Sequence, residues 1–145
     1  GKARTVSGDK VGTGQKALRL AQGDGSVAIL AIGKMVGVAE TVVEELAASG
    51  ISATLWDVRS CVPLDEEMLA HAATHKVVLT AEDGLRDGGI GSMITDRLHT
   101  LAPLVRVENL GVPTKFIPHN KPDAIFAQLG LDAAGMCATV RTLLA

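Results

Sequence analysis

The sequence predicts an α/β protein built on a mainly parallel β-sheet. Short apolar runs, of which 27–32 and 77–81 are the most pronounced, have the length and composition of buried strands. Between them lie longer stretches in which apolar residues recur every three or four positions, as on one face of a helix. Strand-like and helix-like stretches alternate four times along the chain, which is the order found in α/β proteins.

The first fifteen residues differ from the rest of the chain. They carry four glycines and almost no apolar periodicity, so we expect a linker or tail that follows something upstream. The folded domain is therefore predicted to span residues 16–145. Within it, residues 16–22 alternate weakly between apolar and polar side chains, as a short edge strand would, before the buried strand at 27–32.

The first predicted helix follows a break at Gly33 and Lys34. Its apolar residues recur at helical spacing: Met35, Val38, Ala39, Val42, Val43 and Leu46. Gly50 is well placed to end this helix in a left-handed conformation. Residues 52–58 then alternate around Trp56, the only tryptophan, and predict the next strand.

The second half of the chain repeats this order. Asp65 is predicted to cap a short helix. The apolar run 77–81 predicts a buried strand, and the charged, glycine-rich residues 82–89 predict a loop. Helical spacing of Ile90, Ile94 and Leu98 then predicts a helix.

The last part of the chain is predicted as three elements and a loop. They are a strand at 104–110, a structured loop at 111–119, a short helix bracketed by Pro122 and Gly130, and a final helix capped by Asp132.

Composition excludes several classes of protein. The 14 basic and 16 acidic residues give a net charge of −2, and no basic stripe with interleaved aromatics occurs, so we expect no nucleic-acid binding. No apolar run approaches the ~18–20 residues of a membrane span, and the N-terminus has no signal pattern. Cys61 and Cys137 are far apart and fit a reducing compartment, so the predicted location is cytoplasmic.

The segment Glu82-Asp83-Gly84 is a candidate metal site. It follows a predicted strand, and Asn109 lies at the end of the next strand, so an aspartate and an amide would meet on neighbouring loops, as Mg²⁺-diphosphate binding requires. Two adjacent carboxylates would repel a diphosphate, however. A loop that binds no metal is therefore the favoured hypothesis, and a metal site is the weaker one.

Glycines and histidines provide the other candidates. Residues 88–92 read GGIGS at a helix start and could present backbone N–H groups to a phosphate, although close helix–sheet packing is the favoured reading. His71 and His75 lie one turn apart but lack a third ligand, so a solvated helix face is expected. His119, after a glycine- and proline-containing loop, is the one histidine expected near a functional surface.

Four segments in the same order point to a known family. They are residues 57–65, 82–92, 111–119 and 130–136, which read DVRSCVPLD, EDGLRDGGIGS, GVPTKFIPH and GLDAAGM. Together they resemble the C-terminal domain of the 1-deoxy-D-xylulose 5-phosphate synthases, which is of transketolase C-terminal type. The resemblance covers roughly residues 16–145.

The resemblance implies a three-layer α/β/α domain with a five-stranded, mostly parallel sheet in the order 1-3-2-4-5, the first strand being antiparallel. It implies a transferase that uses thiamine diphosphate and Mg²⁺ to condense pyruvate with D-glyceraldehyde 3-phosphate for isoprenoid biosynthesis. It also implies a bacterial, cytoplasmic homodimer whose cofactor site lies in other domains of the enzyme. The resemblance thus implies no catalytic, cofactor-binding or metal-binding residue in this chain, which would be a structural and dimer-forming module that is inactive in isolation.

The resemblance also implies a crevice at the switch point of the sheet, between residues 33–34 and the loop at 82–91. Residues expected at this crevice or at an interface with another domain or a second subunit are Lys34, Asp57, Arg59, Glu82, Asp83, Gly88, Gly89 and His119. Among them, Asp57, Arg59 and Glu82 are expected to form a polar network.

Two further hypotheses stay open. One is an autonomous module that binds a phosphate or nucleotide at the 82–91 loop. The other is the matching domain of a 2-oxo-acid dehydrogenase β subunit, which would dock a partner subunit.

Overall fold

The computed structural model describes residues 16–59, 63–85, 89–112, 127 and 129–145. Its strands are β1 (Leu18–Ala21), β2 (Val27–Ala31), β3 (Thr54–Asp57), β4 (Val77–Leu85) and β5 (Arg106–Val112). Its helices in these ranges are α1 (Met35–Ala48), α2 (Glu66–Ala72), α3 (Ile90–Leu101) and α4 (Ala133–Leu144). None of these helices is long and apolar enough to cross a membrane.

The five strands form one sheet in the order β1-β3-β2-β4-β5. Strand β1 runs antiparallel to β3, and all other pairs are parallel. The central strand β2 places Ile29 beside Leu55 of β3 and Leu79 of β4. The predicted class, strand order and antiparallel first strand are therefore confirmed.

The sheet is covered by helices on both faces, as strand periodicity dictates. Val27, Ile29 and Ala31 of β2 pack in one core with α1 and α4. Ala28 and Leu30 point the other way and pack in a second core with α2 and α3. All five β2 side chains are buried, which explains why this run is continuously apolar instead of alternating. The predicted three-layer α/β/α architecture is confirmed.

Two strand predictions are corrected. Residues 82–85 belong to β4 and not to a loop, because the pairing of β4 with β5 resumes at Leu85 and Val112 after a register shift beyond Ala81. Strand β5 begins at Arg106, two residues later than predicted, and Leu104 is almost fully exposed. The first two residues of the predicted loop at 111–119 belong to β5, which ends at Val112. The predicted tail (1–15), the rest of that loop and most of the helix at 122–130 lie outside the described residues.

The predicted helix ends are formed as expected. The Asp65 carboxylate accepts from the backbone N–H of Glu67 at 2.8 Å and of Met68 at 3.3 Å, at the start of α2. Asp132 accepts from the N–H of Gly135 at 2.8 Å, at the start of α4. After α1, Gly50 has a φ of 89°, so its left-handed role is confirmed.

The predicted solvated helix face for His71 and His75 is wrong, because His71 of α2 is partly buried and His75, which follows α2, is buried. His75 is 4% exposed, and its Nε2 lies within hydrogen-bond distance of the Thr54 hydroxyl on β3, at 2.9 Å, while its Nδ1 donates to the His71 carbonyl at 3.0 Å. The indole N–H of Trp56 donates to Nδ1 of His71 at 3.0 Å. Because an indole N–H can only donate, this bond requires an unprotonated Nδ1 on His71.

Stability is expected to decrease in mild acid because of His71. Burial lowers its pKa most, and the nearby His75 and Arg19 lower it further against a weaker opposite effect of Glu67. The unfolded chain takes up this proton near the ordinary pKa of 6.5, and the folded chain only at lower pH. The free energy of unfolding should therefore be highest above about pH 6.5 and fall as the pH decreases below it.

Chemical unfolding followed by Trp56 fluorescence between pH 8 and pH 5 measures this effect. His71→Gln cannot titrate, so it should show a smaller loss of stability over the same interval. Equal losses in the two proteins would contradict the assignment to His71.

Candidate functional site

The carboxyl ends of β2 and β4 form the switch point of the sheet. These strands are neighbours, but β2 leads to α1 on one face and β4 leads to α3 on the other. Gly33, just after β2, has a φ of 64°, and a Cβ there would lie 3.2 Å from Oδ1 of Asp83. A glycine at this position therefore allows the two strand ends to approach closely.

Glu82 is the buried charged residue at this edge. It is 4% exposed, and its two carboxylate oxygens accept from the backbone N–H groups of Ile90 at 3.3 Å and Gly91 at 2.9 Å. These N–H groups belong to the first turn of α3, where a negative charge is stabilised by the helix dipole and by unpaired donors. Glu82 thus acts as the internal cap of α3.

A polar network lies beneath this cap. The Thr80 hydroxyl donates to Oδ1 of Asn109 at 2.6 Å. The Asn109 amide donates to the Thr95 hydroxyl at 3.0 Å, and that hydroxyl donates to the Gly91 carbonyl at 2.8 Å. This chain of bonds connects β4, β5 and α3. Sequence analysis missed it, although a threonine within the apolar run of β4 was a usable signal.

The glycine at position 91 fits tightly into this network. A Cβ there would lie 2.7 Å from Oγ1 of Thr80 and 3.0 Å from the side chain of Asn109. The first turn of α3 therefore packs directly on the polar side chains of the sheet, as predicted for close helix–sheet packing of the glycine-rich segment.

The hypotheses of a metal site at residues 82–84 and of a phosphate site at residues 88–92 do not match this geometry. Asn109 is held by two threonines, and the N–H groups that a phosphate would use are bound by the Glu82 carboxylate. In the part of the chain that the structure describes, no group of three or more histidine, cysteine, aspartate or glutamate side chains could hold a metal ion. These residues do not fit a Mg²⁺-diphosphate group.

The predicted network of Asp57, Arg59 and Glu82 is not formed. Glu82 is bound to α3, and the structure gives Arg59 no hydrogen bond or ion pair with any described residue. Asp57 and Lys34 each take part in other interactions. Val58, between Asp57 and Arg59, donates its N–H to the Ala31 carbonyl at 3.0 Å and so ties this strand end to β2.

Gly88, Gly89 and His119 remain among the predicted site residues, whereas the two cysteines were predicted as ordinary small residues. Gly89 is the residue before α3 and has an extended backbone. Gly88, His119 and Cys61 lie outside the described residues. Cys137 is buried in the core of α1 and α4, and burial followed by the neighbouring Glu45 raises the pKa of its thiol, which suits a structural residue better than a nucleophile.

Comparison with known protein families identifies the class to which this fold belongs. Residues 15–136 match the family model described as "Transketolase, C-terminal domain". Since the match covers most of the chain, the chain belongs to the transketolase C-terminal domain family.

The chain is also similar to individual proteins of this class. The chain is similar to the 1-deoxy-D-xylulose-5-phosphate synthase of Alcanivorax borkumensis, with 43% identity over 116 residues that make up 79% of this chain and 17% of that protein. The synthase of Chromohalobacter salexigens is 40% identical over 129 residues, which are 88% of this chain and 19% of that protein. The chain thus spans about a fifth of the length of these relatives.

A solved structure shares the fold. It is a split-gene transketolase in an inactive β4 tetramer, which superposes with a TM-score of 0.79 at 30% identity and covers 90% of this chain and 43% of that chain.

Proposed function

We propose that this chain is the C-terminal domain of a 1-deoxy-D-xylulose-5-phosphate synthase. On this proposal the whole enzyme uses thiamine diphosphate and Mg²⁺ to join pyruvate to D-glyceraldehyde 3-phosphate, and the cofactor is held by domains outside this chain. The domain itself is a structural module that supports the other domains and the association of two subunits.

One observation carries the structural part of the proposal. The carboxyl edge of the sheet, where α/β proteins usually bind ligands, is closed by the Glu82 cap and by the network of Thr80, Asn109 and Thr95. A site that uses its donors internally is suited to holding a helix in place. The similarity to two synthases supports the enzymatic part.

The two alternative functions receive less support. An autonomous phosphate or nucleotide site at residues 82–91 would need the N–H groups of Ile90 and Gly91, which Glu82 already binds. A 2-oxo-acid dehydrogenase β subunit remains compatible with the fold, but no specific contact favours it over the synthase.

A domain exchange tests the proposal. The matched domain of the Alcanivorax borkumensis synthase is replaced by this chain, and formation of 1-deoxy-D-xylulose 5-phosphate from the two substrates is measured. We expect the chimera to be active and a synthase that lacks the domain to be inactive. A chimera that is soluble and folded but makes no product would contradict the proposal.

A further inference from the structure

Arg59 is the residue at the switch-point edge that the fold leaves unexplained. It follows β3, whose last residue Asp57 lies beside Ala31 at the end of β2. Arg59 therefore stands at the same carboxyl edge as Gly33 and Asp83. Part of its surface is exposed, so another molecule can reach it without disruption of the strand.

The charge of Arg59 has no partner among the described residues. Its Nη1 atom is buried and has no hydrogen bond, and no ion pair involving Arg59 is formed there. The carboxylate of Glu82, which the sequence predicted as a partner of Arg59, is bound to α3 instead. A charged group that is partly buried without a partner is costly, and a partner from outside would relieve that cost.

The backbone at Arg59 is also unfavourable. Its φ of 65° is the one positive value among the described non-glycine residues, and a side chain in the left-handed region is costly. A partly buried guanidinium without a partner among the described residues and a strained backbone thus coincide at one residue, a combination that is typical of functional positions.

We propose that Arg59 is an anion-binding residue whose guanidinium pairs with one oxyanion from outside this domain. The planar fork of arginine matches carboxylate and phosphate oxygens equally well. The oxyanion is thus either a carboxylate side chain of another domain or subunit, or the phosphate of a free ligand. This inference rests on the geometry of the chain itself, and it stands or falls separately from the synthase assignment.

Thermal unfolding of the 145-residue chain, followed by Trp56 fluorescence, tests the proposal. Sodium phosphate and sodium acetate are each titrated against sodium chloride at matched ionic strength. An anion that binds only the folded chain raises the melting temperature saturably, and we expect a rise of a few degrees. Acetate as the better probe indicates a protein carboxylate, and phosphate as the better probe indicates a phosphorylated ligand.

Variants separate binding from a structural role. Arg59→Met removes a partly buried charge that has no partner among the described residues, so it should raise the melting temperature in chloride and abolish the response to the anion. Arg59→Lys keeps the charge without the planar fork and should weaken the response, which provides the comparison if the methionine variant does not fold. Arg97→Met removes an exposed arginine that already pairs with Glu66, and it should keep the full response.

Three results would overturn the inference. They are a wild-type chain without a saturable response to either anion, an Arg59→Met variant that keeps the response, and an Arg59→Met variant that is less stable than the wild type in chloride. The last result would identify Arg59 as an ordinary structural residue.

Discussion

Replacement of Glu82 by alanine is expected to lower the free energy of unfolding by about 3 kcal/mol. The substitution leaves two buried N–H groups at the start of α3 without acceptors, and it removes a charge from the favourable end of the helix dipole. Glu82→Gln keeps the shape and one acceptor oxygen, so its loss should be about half as large. Urea unfolding of the 145-residue chain measures both values.

The matched control is Glu66→Ala. Glu66 also lies in the first turn of a helix, but its ion pair with Arg97 is exposed to solvent, so its loss should cost less than about 1 kcal/mol. If Glu82→Ala cost no more than Glu66→Ala, the internal cap would have no special weight and the account of the switch-point edge would be wrong.

Replacement of Gly91 by alanine is expected to destabilise the protein by about 2–4 kcal/mol, although alanine is ordinarily the better helix former. The added methyl group would lie 2.7 Å from Oγ1 of Thr80 and 3.0 Å from Asn109. Either the Thr80–Asn109 hydrogen bond breaks or the first turn of α3 moves away from Glu82.

Gly37→Ala provides the control within the same protein. Gly37 lies in α1, and a Cβ at that position meets nothing within 4 Å, so the substitution should stabilise the protein by about 0.5–1 kcal/mol. Opposite signs at the two glycines are the expected result in parallel urea titrations. Stabilisation by Gly91→Ala would show that the network does not pack on α3 as the structure has it.

The elements that sequence analysis predicted correctly depend on local chemistry. Asp65 and Asp132 cap helices within three residues of themselves, and Gly50 ends α1 through its own backbone freedom. The strand β2 could also be predicted from its continuous apolar run, because a strand that is buried on both faces has no place for polar side chains. Such signals can be read from a short window of sequence.

The elements that it missed depend on contacts between distant parts of the chain. Residues 82–85 look like a loop because two carboxylates and a glycine are adjacent, but pairing with β5 makes them part of β4. His75 looks exposed because its spacing from His71 suggests one helix face, but it follows α2 and lies buried beside the Thr54 hydroxyl of β3. The strand order was predicted only through the family resemblance, since periodicity does not determine which strands are neighbours.

The sequence predicted where Glu82 and Asn109 lie in the sheet, but it did not predict what these two residues do. The sequence put Glu82 and Asn109 at one edge of the sheet, and they do contribute to the same network around Gly91. Their roles as an internal cap and a bridge between β5 and α3 could not be read from spacing, because a carboxylate that caps a helix and one that binds a metal have the same signature in sequence.

We proposed that this domain is a structural module and that the cofactor is held by other domains. The most direct test is calorimetric titration of thiamine diphosphate with Mg²⁺ into two proteins, the 145-residue chain alone and the chimeric synthase that contains it. The account predicts saturable binding to the chimera and only heats of dilution with the chain alone, since Asn109 and the first turn of α3 are bound internally. Saturable, Mg²⁺-dependent binding to the chain alone that is lost in Asn109→Ala would contradict it.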